Sequence, residues 1–128
     1  MHNRWEYFSE DELRCKGTGE IHMNEEFMEK LVALRKEFNQ PMTITSGYRD
    51  GSYNEVIGGG KTSAHLTGKA VDVACYGNKA YKLIQLAIKH GFNGIGIKQH
   101  SHPGKRFVHL DTVEHKDVQP RPWIWSYK

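Results

Sequence analysis

Three short segments of this 128-residue chain share one alternation of side chains, and that alternation limits what the chain can fold into. The segments are residues 69–74, 93–98 and 106–111, and in each of them two branched apolar side chains alternate with other residues. Between the apolar residues stand Asp72 in the first segment, a glycine in the second and His109 in the third. Because successive side chains of a strand point to opposite faces, the pattern predicts three strands with an apolar face and a polar face. If these strands pair, Asp72 and His109 share the polar face, beside a space left by glycines.

The rest of the chain supplies helices that can cover the apolar face of such a sheet. Apolar residues recur at helical spacing in the two longer helices, and serine or asparagine stands where a helix begins. The remaining predicted elements are helices at 9–14, 24–38 and 78–90, a strand at 42–46, and an extended aromatic tail at 121–127. The sequence therefore predicts one domain over residues 1–128, of the α+β class, with a small antiparallel sheet flanked by helices.

The composition excludes several classes of protein. The formal net charge is +3, and no cluster of Lys and Arg is dense enough to indicate a nucleic-acid partner. No apolar run approaches the about 20 residues that a membrane span needs. Free thiols fit Cys15 and Cys75 better than a disulfide does, although pairing stays open. We expect a monomer, and because the first residues lack the apolar stretch of a signal peptide, a cytoplasmic one.

Residues 63–72 hold the sharpest local pattern, with His65 in a loop that leads into the strand of Asp72. With His109 they give two imidazoles and one carboxylate. Three protein ligands with an open fourth position are typical of catalytic zinc, whereas structural zinc sites are closed by four ligands rich in cysteine. A lone His and Asp at this spacing are more often surface or capping residues, but an aspartate between two valines of a strand needs a reason to face inward. A protein without metal, whose histidines are structural, stays an alternative.

The same residues carry a resemblance to a known family. Positions 63–72 read S-x-H-x-x-G-x-A-x-D, and positions 107–111 supply a later H-x-D. Residues 45–49 add S-G-Y-R, followed by Asn54, and residues 121–123 give an R-x-W ending. This set resembles the zinc D-alanyl-D-alanine peptidases, which include carboxypeptidases, dipeptidases, phage endolysins and the hedgehog-type fold.

The resemblance implies a hedgehog- or DD-peptidase-like domain that binds Zn²⁺ through His65, Asp72 and His109. It implies that Arg49 acts in catalysis and binds the substrate, because a fixed guanidinium stabilises a developing oxyanion and its fork fits a carboxylate. Ser63 either hydrogen-bonds the substrate or caps its loop. The implied activity is hydrolysis of peptide bonds in peptidoglycan stem peptides or cross-links, as in short phage endolysins. A cytoplasmic enzyme of this kind would reach the cell wall through a holin or by lysis.

One position departs from the family pattern. Many members carry an acid three residues before the last histidine ligand, as general base, and here that residue is Arg106, which cannot accept a proton. Asp111, on the same strand as that ligand, is expected to support the site or to act in catalysis. His102 is the favoured proton carrier, and His100 and Glu114 are further candidates. The same departure favours an alternative function, a catalytically silent zinc-binding module that binds cell-wall peptides.

Overall fold

A computed structural model describes residues 4–60 and 63–127 of the chain. Its helices are α1 (Glu10–Leu13), α2 (Glu25–Phe38), α3 (Gly51–Val56) and α4 (Gly77–Lys89). Its strands are β1 (Thr43–Ser46), β2 (Ala70–Ala74), β3 (Gly94–Lys98), β4 (Phe107–Asp111) and β5 (Trp123–Ser126), and Ala64–Thr67 and Pro103–Lys105 form 3₁₀ turns. The expected α+β class is confirmed. The helix α3 and both 3₁₀ turns are elements that the sequence patterns did not predict.

The strands form one sheet in the order β1-β2-β4-β3-β5. The β1-β2, β2-β4 and β4-β3 pairs are antiparallel, as expected, whereas β5 runs parallel to β3. The aromatic tail therefore packs back as the predicted extended segment, but it makes the sheet mixed. Parallel pairing requires a crossover connection, and residues 112–122 lead the chain from the end of β4 to the far side of β3.

The alternation along the strands places their apolar side chains in the core. Val71 and Val73 of β2 are 0% and 1% exposed, and they pack in one cluster with side chains of α2 and α4. Asp72 lies directly opposite His109 in the antiparallel register, so the two side chains share the other face. Gly96 of β3 flanks His109 on its second side. The prediction from side-chain parity is confirmed, and the functional residues lie on the face turned away from α2 and α4.

A side-chain cap fixes the start of the predicted long helix, and a left-handed residue fixes its end. Asn24 accepts a hydrogen bond from the backbone N–H of Phe27 at 2.9 Å, which satisfies a donor of the first turn of α2. Asn39 ends the helix in a left-handed conformation, with φ of 53°. The second long helix, α4, begins at Gly77, one residue before the predicted start at Asn78.

The structure also bears on the expectations about the two cysteines and about membrane spans. Cys15 and Cys75 are free, and both are buried. Burial raises the pKa of the Cys75 thiol to about 11. Among the described residues, no helix has the length and apolar character to cross a membrane.

Candidate metal centre

Three polar side chains are buried together on the face of the sheet turned away from the long helices. His65 comes from the 3₁₀ turn before β2, Asp72 from β2 and His109 from β4, and they are 3%, 6% and 3% exposed. One possible ligand atom of each lies within 4.8 Å of the others. All three line an open cavity of about 400 Å³. The structure thus brings together the three residues that were predicted as metal ligands.

A backbone carbonyl orients His65. Its Nδ1 lies 2.7 Å from the carbonyl oxygen of Gly47, and only a protonated ring nitrogen can donate to a carbonyl. This contact turns Nε2 toward the centre, where it lies 3.3 Å from Oδ1 of Asp72. A side chain at position 47 does not fit, because a Cβ there would lie 2.6 Å from the carbonyl oxygen of Leu13. The Ser-Gly segment therefore places a backbone acceptor behind the first histidine.

A buried carboxylate orients His109 in the opposite sense. Its Nε2 lies 2.7 Å from Oδ2 of Asp111, so Nδ1 faces the centre, 3.1 Å from Oδ1 of Asp72. Asp111 is 0% exposed and accepts two hydrogen bonds from Arg121, one from Nε at 2.9 Å and one from Nη2 at 2.8 Å. Gly94 lies opposite on β3, and a Cβ there would overlap the carboxylate. This placement supports the prediction that Asp111 holds an imidazole.

Burial and close charges shift the pKa values of this group in different directions. Burial opposes ionisation of Asp72, but hydrogen bonds with His109 and His65 outweigh it and hold its pKa well below the usual range. Burial also opposes ionisation of Asp111, yet its contacts with His109 and Arg121 lower its pKa. Burial disfavours the charged form of His109, but the hydrogen bonds to Asp111 and Asp72 raise its pKa. The two carboxylates thus favour positive charge at the centre, which is what a metal cation also needs.

The donor set fits zinc. Two imidazoles and one carboxylate, with a fourth position left open, are the ligands of many catalytic zinc sites. Each imidazole has its second nitrogen bound to a fixed acceptor, which sets the tautomer that a metal ligand must have. Calcium and magnesium would instead favour a site built from oxygen atoms. The geometry therefore suits one zinc ion held by Nε2 of His65, Nδ1 of His109 and the carboxylate of Asp72.

Arg49 lines the same cavity and is held by polar neighbours. Its Nε donates to Oγ of Ser46 at 3.3 Å, and its Nη1 donates to Oδ1 of Asn54 at 3.4 Å. Its Nη2 lies 3.8 Å from Oδ2 of Asp72, which is too long for a strong hydrogen bond. The guanidinium therefore stands beside the metal ligands with donor capacity left for a substrate oxygen.

A glycine-rich segment at 58–60 and Ser63 form the wall of the cavity next to Arg49. Asn54 is 4% exposed, and its Nδ2 donates to the carbonyl oxygen of residue 60 at 2.9 Å. Its amide oxygen holds the guanidinium, so one buried side chain fixes both the wall and the arginine. Oγ of Ser63 accepts from the backbone N–H of His65 at 3.4 Å, so it caps its turn. Because Ser63 also lines the cavity, contact with a substrate stays open to it.

Comparison with known proteins assigns the fold and the site to a family. Residues 6–111 match the model of the family described as Peptidase M15. The chain belongs to the peptidase M15 family. It is also 33% identical over 82 residues to the zinc D-Ala-D-Ala carboxypeptidase of Streptomyces albus G, a match that covers 59% of this chain. The match covers only 32% of that relative, so this chain spans about a third of its length. The family, the zinc enzyme that the chain resembles and the His-Asp-His group confirm the predicted family and Zn²⁺ as the cofactor.

The loop before β4 does not reach the cavity of this M15 protein. His102 is exposed, and its Nδ1 accepts from a backbone N–H of its own turn at 3.2 Å. The Nε of Arg106 donates to the carbonyl oxygen of Ser101 at 2.7 Å, so its guanidinium is held in the loop. None of His100, His102, Arg106 and Glu114 lines the cavity. The structure does not bring the favoured proton carrier to the metal ligands, and its role stays a prediction.

Three residues of the C-terminal segment lie in the cavity without having been predicted there. Arg121 binds Asp111, Trp125 packs its ring 5.1 Å from the ring of His109, and Tyr127 lies beside them. Burial and the charge of Asp72 raise the pKa of Tyr127 to about 12. The sequence signal was the spacing of Arg121, Trp125 and Tyr127 at alternate positions, but the face that they joined depended on the unpredicted pairing with β3.

Proposed function

We propose that this protein is a zinc-dependent peptidase that hydrolyses peptide bonds of bacterial peptidoglycan, in stem peptides or in cross-links. The observation that carries the proposal is the group of His65, Asp72 and His109, three buried donors that open onto a cavity beside a guanidinium. A structural metal site would be closed by a fourth protein ligand. A cavity beside the ligands is needed only if a substrate must approach them.

The residues of the chain supply binding and orientation around the metal. When bound, zinc supplies a Lewis acid that polarises a carbonyl group and acidifies water. Arg49 adds a fixed positive charge next to Asp72, where a substrate oxygen would gain negative charge. Trp125 and Tyr127 give the cavity an aromatic wall, against which short apolar side chains of a substrate would pack.

The substrate class that we propose rests on Arg49 and on the related enzyme. The relative's name assigns to that protein a carboxypeptidase activity on D-Ala-D-Ala. A guanidinium fork fits a free carboxylate, so a peptide that ends in D-Ala-D-Ala could bind its terminal carboxylate at Arg49. Cleavage within the stem or the cross-link, by an L,D- or D,D-endopeptidase, is the other form of the proposal. A phage endolysin that reaches the wall through a holin or by lysis would have that form.

Digestion of purified peptidoglycan, with mass analysis of the released fragments, tests this proposal and identifies the bond. We expect zinc-loaded protein to release D-alanine or to separate cross-linked stems, and we expect a chelator to stop the release. His65→Ala serves as the matched inactive variant, since it removes one ligand. A zinc-loaded wild-type protein that releases no fragment from peptidoglycan or from a D-Ala-D-Ala pentapeptide would refute the activity.

A second candidate is a zinc-bearing module that binds cell-wall peptides without cleaving them. One observation favours it: among the described residues, the cavity carries no carboxylate besides Asp72 and Asp111, and both are tied to histidines. A zinc peptidase needs a group that moves protons between water and the leaving amine. Zinc-dependent binding of a stem peptide that is recovered intact would decide for this candidate.

A further inference from the structure

The metal centre is in contact with a segment that lies beyond the family match. The match ends at residue 111, yet Arg121 and Trp125 touch groups at the site. We infer that Arg121 is a positioning residue of the metal centre, which fixes the imidazole of His109 by holding Asp111. The inference rests on the proposed zinc function.

The contact between Arg121 and Asp111 is a buried, two-pronged ion pair. Nε of Arg121 lies 2.9 Å from Oδ1 and Nη2 lies 2.8 Å from Oδ2. The arginine side chain is 6% exposed and the aspartate side chain 0% exposed. A fork of this kind fixes the plane of a carboxylate as well as its position. Since water does not reach it, the pair is not weakened as a surface ion pair would be.

The fixed carboxylate sets which nitrogen His109 presents. Oδ2 of Asp111 receives the Nε2 contact of His109 at 2.7 Å while it also receives Nη2 of Arg121. With both oxygens held, the carboxylate cannot turn about its own axis, so the ring stays oriented with Nδ1 toward Asp72. Without Arg121, the aspartate would be a buried charge paired with the histidine alone, and both side chains would be free to rearrange.

Trp125 packs against the imidazole ring of His109. Its ring centroid lies 5.1 Å from that of His109, and the guanidinium carbon of Arg121 lies 5.2 Å from the Trp125 ring. Gly96 makes room for it, because a Cβ there would lie 2.8 Å from Trp125. The C-terminal segment thus holds the His109 ring in two ways. Arg121 acts on its Nε2 edge through Asp111, and Trp125 packs against the ring itself.

Zinc affinity measured by competition with a chromophoric chelator tests the inference without relying on turnover. Losing an outer partner of a metal-bound histidine typically weakens metal binding about 10–100-fold, and we expect that loss for Arg121→Ala. Arg121→Lys keeps the charge but not the fork, and we expect it to recover part of the affinity. The matched control is Arg106→Ala, which removes an arginine whose side chain lies outside the cavity and should leave zinc affinity unchanged. Wild-type affinity in Arg121→Ala would overturn the inference.

A double-mutant cycle separates positioning from a general role in folding. If Arg121 acts through Asp111, then Arg121→Ala should cost little further zinc affinity in protein that already carries Asp111→Asn. Fully additive losses would overturn the inference, because they would mean that Arg121 acts on its own. If Arg121→Ala fails to fold, the cycle is run with Arg121→Lys, and the absorption spectrum of bound Co²⁺ reports the ligand geometry of each variant. A wild-type protein that binds no zinc would overturn the proposed function together with this inference, whereas normal zinc binding by every variant overturns the inference alone.

Discussion

The two histidines of the metal centre present different ring nitrogens, and each is oriented by a different partner. His65 has the neutral carbonyl of Gly47 behind it, whereas His109 has the carboxylate of Asp111. A carboxylate behind a metal-bound imidazole makes that imidazole a stronger ligand than a carbonyl does. The centre therefore combines one ordinary imidazole, one strengthened imidazole and the single carboxylate of Asp72.

The first prediction concerns Arg49, which stands next to these ligands without belonging to them. We expect Arg49→Ala to bind zinc as the wild type does and to lose about 10²–10³-fold in kcat, the usual cost of removing one donor to a developing oxyanion. The measurements are zinc content by elemental analysis and kcat on a D-Ala-D-Ala peptide. Arg49→Lys, which keeps the charge without the fork, is the comparison variant, and near-wild-type kcat in Arg49→Ala would reduce the residue to a structural one.

At the level of single residues, the sequence was sufficient to find the three candidate ligands that the structure brings together, and insufficient to find the side chains that hold them. His65, Asp72 and His109 could be found because each sits at a fixed place in a local pattern, a loop motif or a strand alternation. The contact of Arg121 with Asp111 joins positions ten residues apart across an irregular connection, and no local pattern fixes such a distance. His102 lies outside the cavity, since closeness in sequence to β4 does not bring it there, and its role stays a prediction.

The glycines of strand β3 leave space for the side chains of the metal centre. A Cβ at Gly96 would lie 2.8 Å from Trp125, so Gly96→Ala should push that ring off His109. In an open position of a strand, alanine would stabilise relative to glycine. Here we expect the overpacking to dominate and to lower the free energy of unfolding by about 1–3 kcal/mol, with weaker zinc binding. Urea denaturation and chelator competition measure the two effects.

Gly51→Ala is the matched control for that substitution. Gly51 is the first residue of α3, and a Cβ there would meet no atom within 4 Å. Alanine is the better helix former, so the variant should equal or exceed the wild type in stability, by up to about 1 kcal/mol. Equal effects of the two substitutions would contradict the packing argument for β3.

The loop that carries His102 gives a prediction at the level of an element. For His102 to carry protons, the Pro103–Lys105 turn would have to swing over the cavity, with Gly104 as the pivot, because in the structure the ring caps that turn. The expected result is a fall in kcat for His102→Ala with zinc retained. Glu114→Ala, with a smaller fall expected, is assayed beside it. Full turnover in His102→Ala would mean that a group inside the cavity transfers the proton. Asp111 would then be the candidate, because the other carboxylate there, Asp72, is expected to bind the metal.

Most elements, but not the whole sheet, followed from local patterns. Helices α2 and α4 have apolar residues at helical spacing, and the antiparallel strands have alternation, both of which are set within a few residues. The short helix α3 lacks an apolar stripe, and the capping of its first turn by Asp50 was the signal that was available. The parallel pairing of β5 with β3 depends on where residues 112–122 cross, which is a property of the assembled sheet.

In the whole molecule, the hydrophobic core and the metal centre are opposite faces of the same strands. Val71 and Val73 pack against the long helices while Asp72 between them faces the cavity. Packing in the core therefore fixes the strand backbone, and the fixed backbone limits the movement of Asp72 and His109. A metal site on such strands needs little reorganisation when it binds an ion, since the backbone of Asp72 and His109 is already paired.

The last prediction is that pH changes the stability of the metal-free and the zinc-loaded protein in opposite directions. The folded-state pKa of His109 is raised, so its contribution is fully present below the unfolded value of about 6.5 and is lost as pH rises through the folded value. The lowered pKa values of Asp72 and Asp111 contribute stability above about 3.9, which is lost as pH falls through their folded values. Metal-free protein, prepared with a chelator, should therefore be most stable between about pH 4 and 6.5 and less stable at pH 8.

With zinc bound, stability should rise rather than fall above about pH 6.5, because zinc binds the nitrogen of His109 that a proton would occupy. Free zinc at 100 times its dissociation constant stabilises a protein by about 2.7 kcal/mol, and this term grows with pH as the imidazole loses its proton. Thermal unfolding between pH 5 and 8, with and without zinc, should give two curves that diverge as pH rises. The control is His109→Ala, which should lose the fall in metal-free stability above pH 6.5 and the added stabilisation by zinc. A metal-free wild type that gains stability from pH 6 to pH 8 would show that Asp72 and Asp111 do not hold a proton on His109.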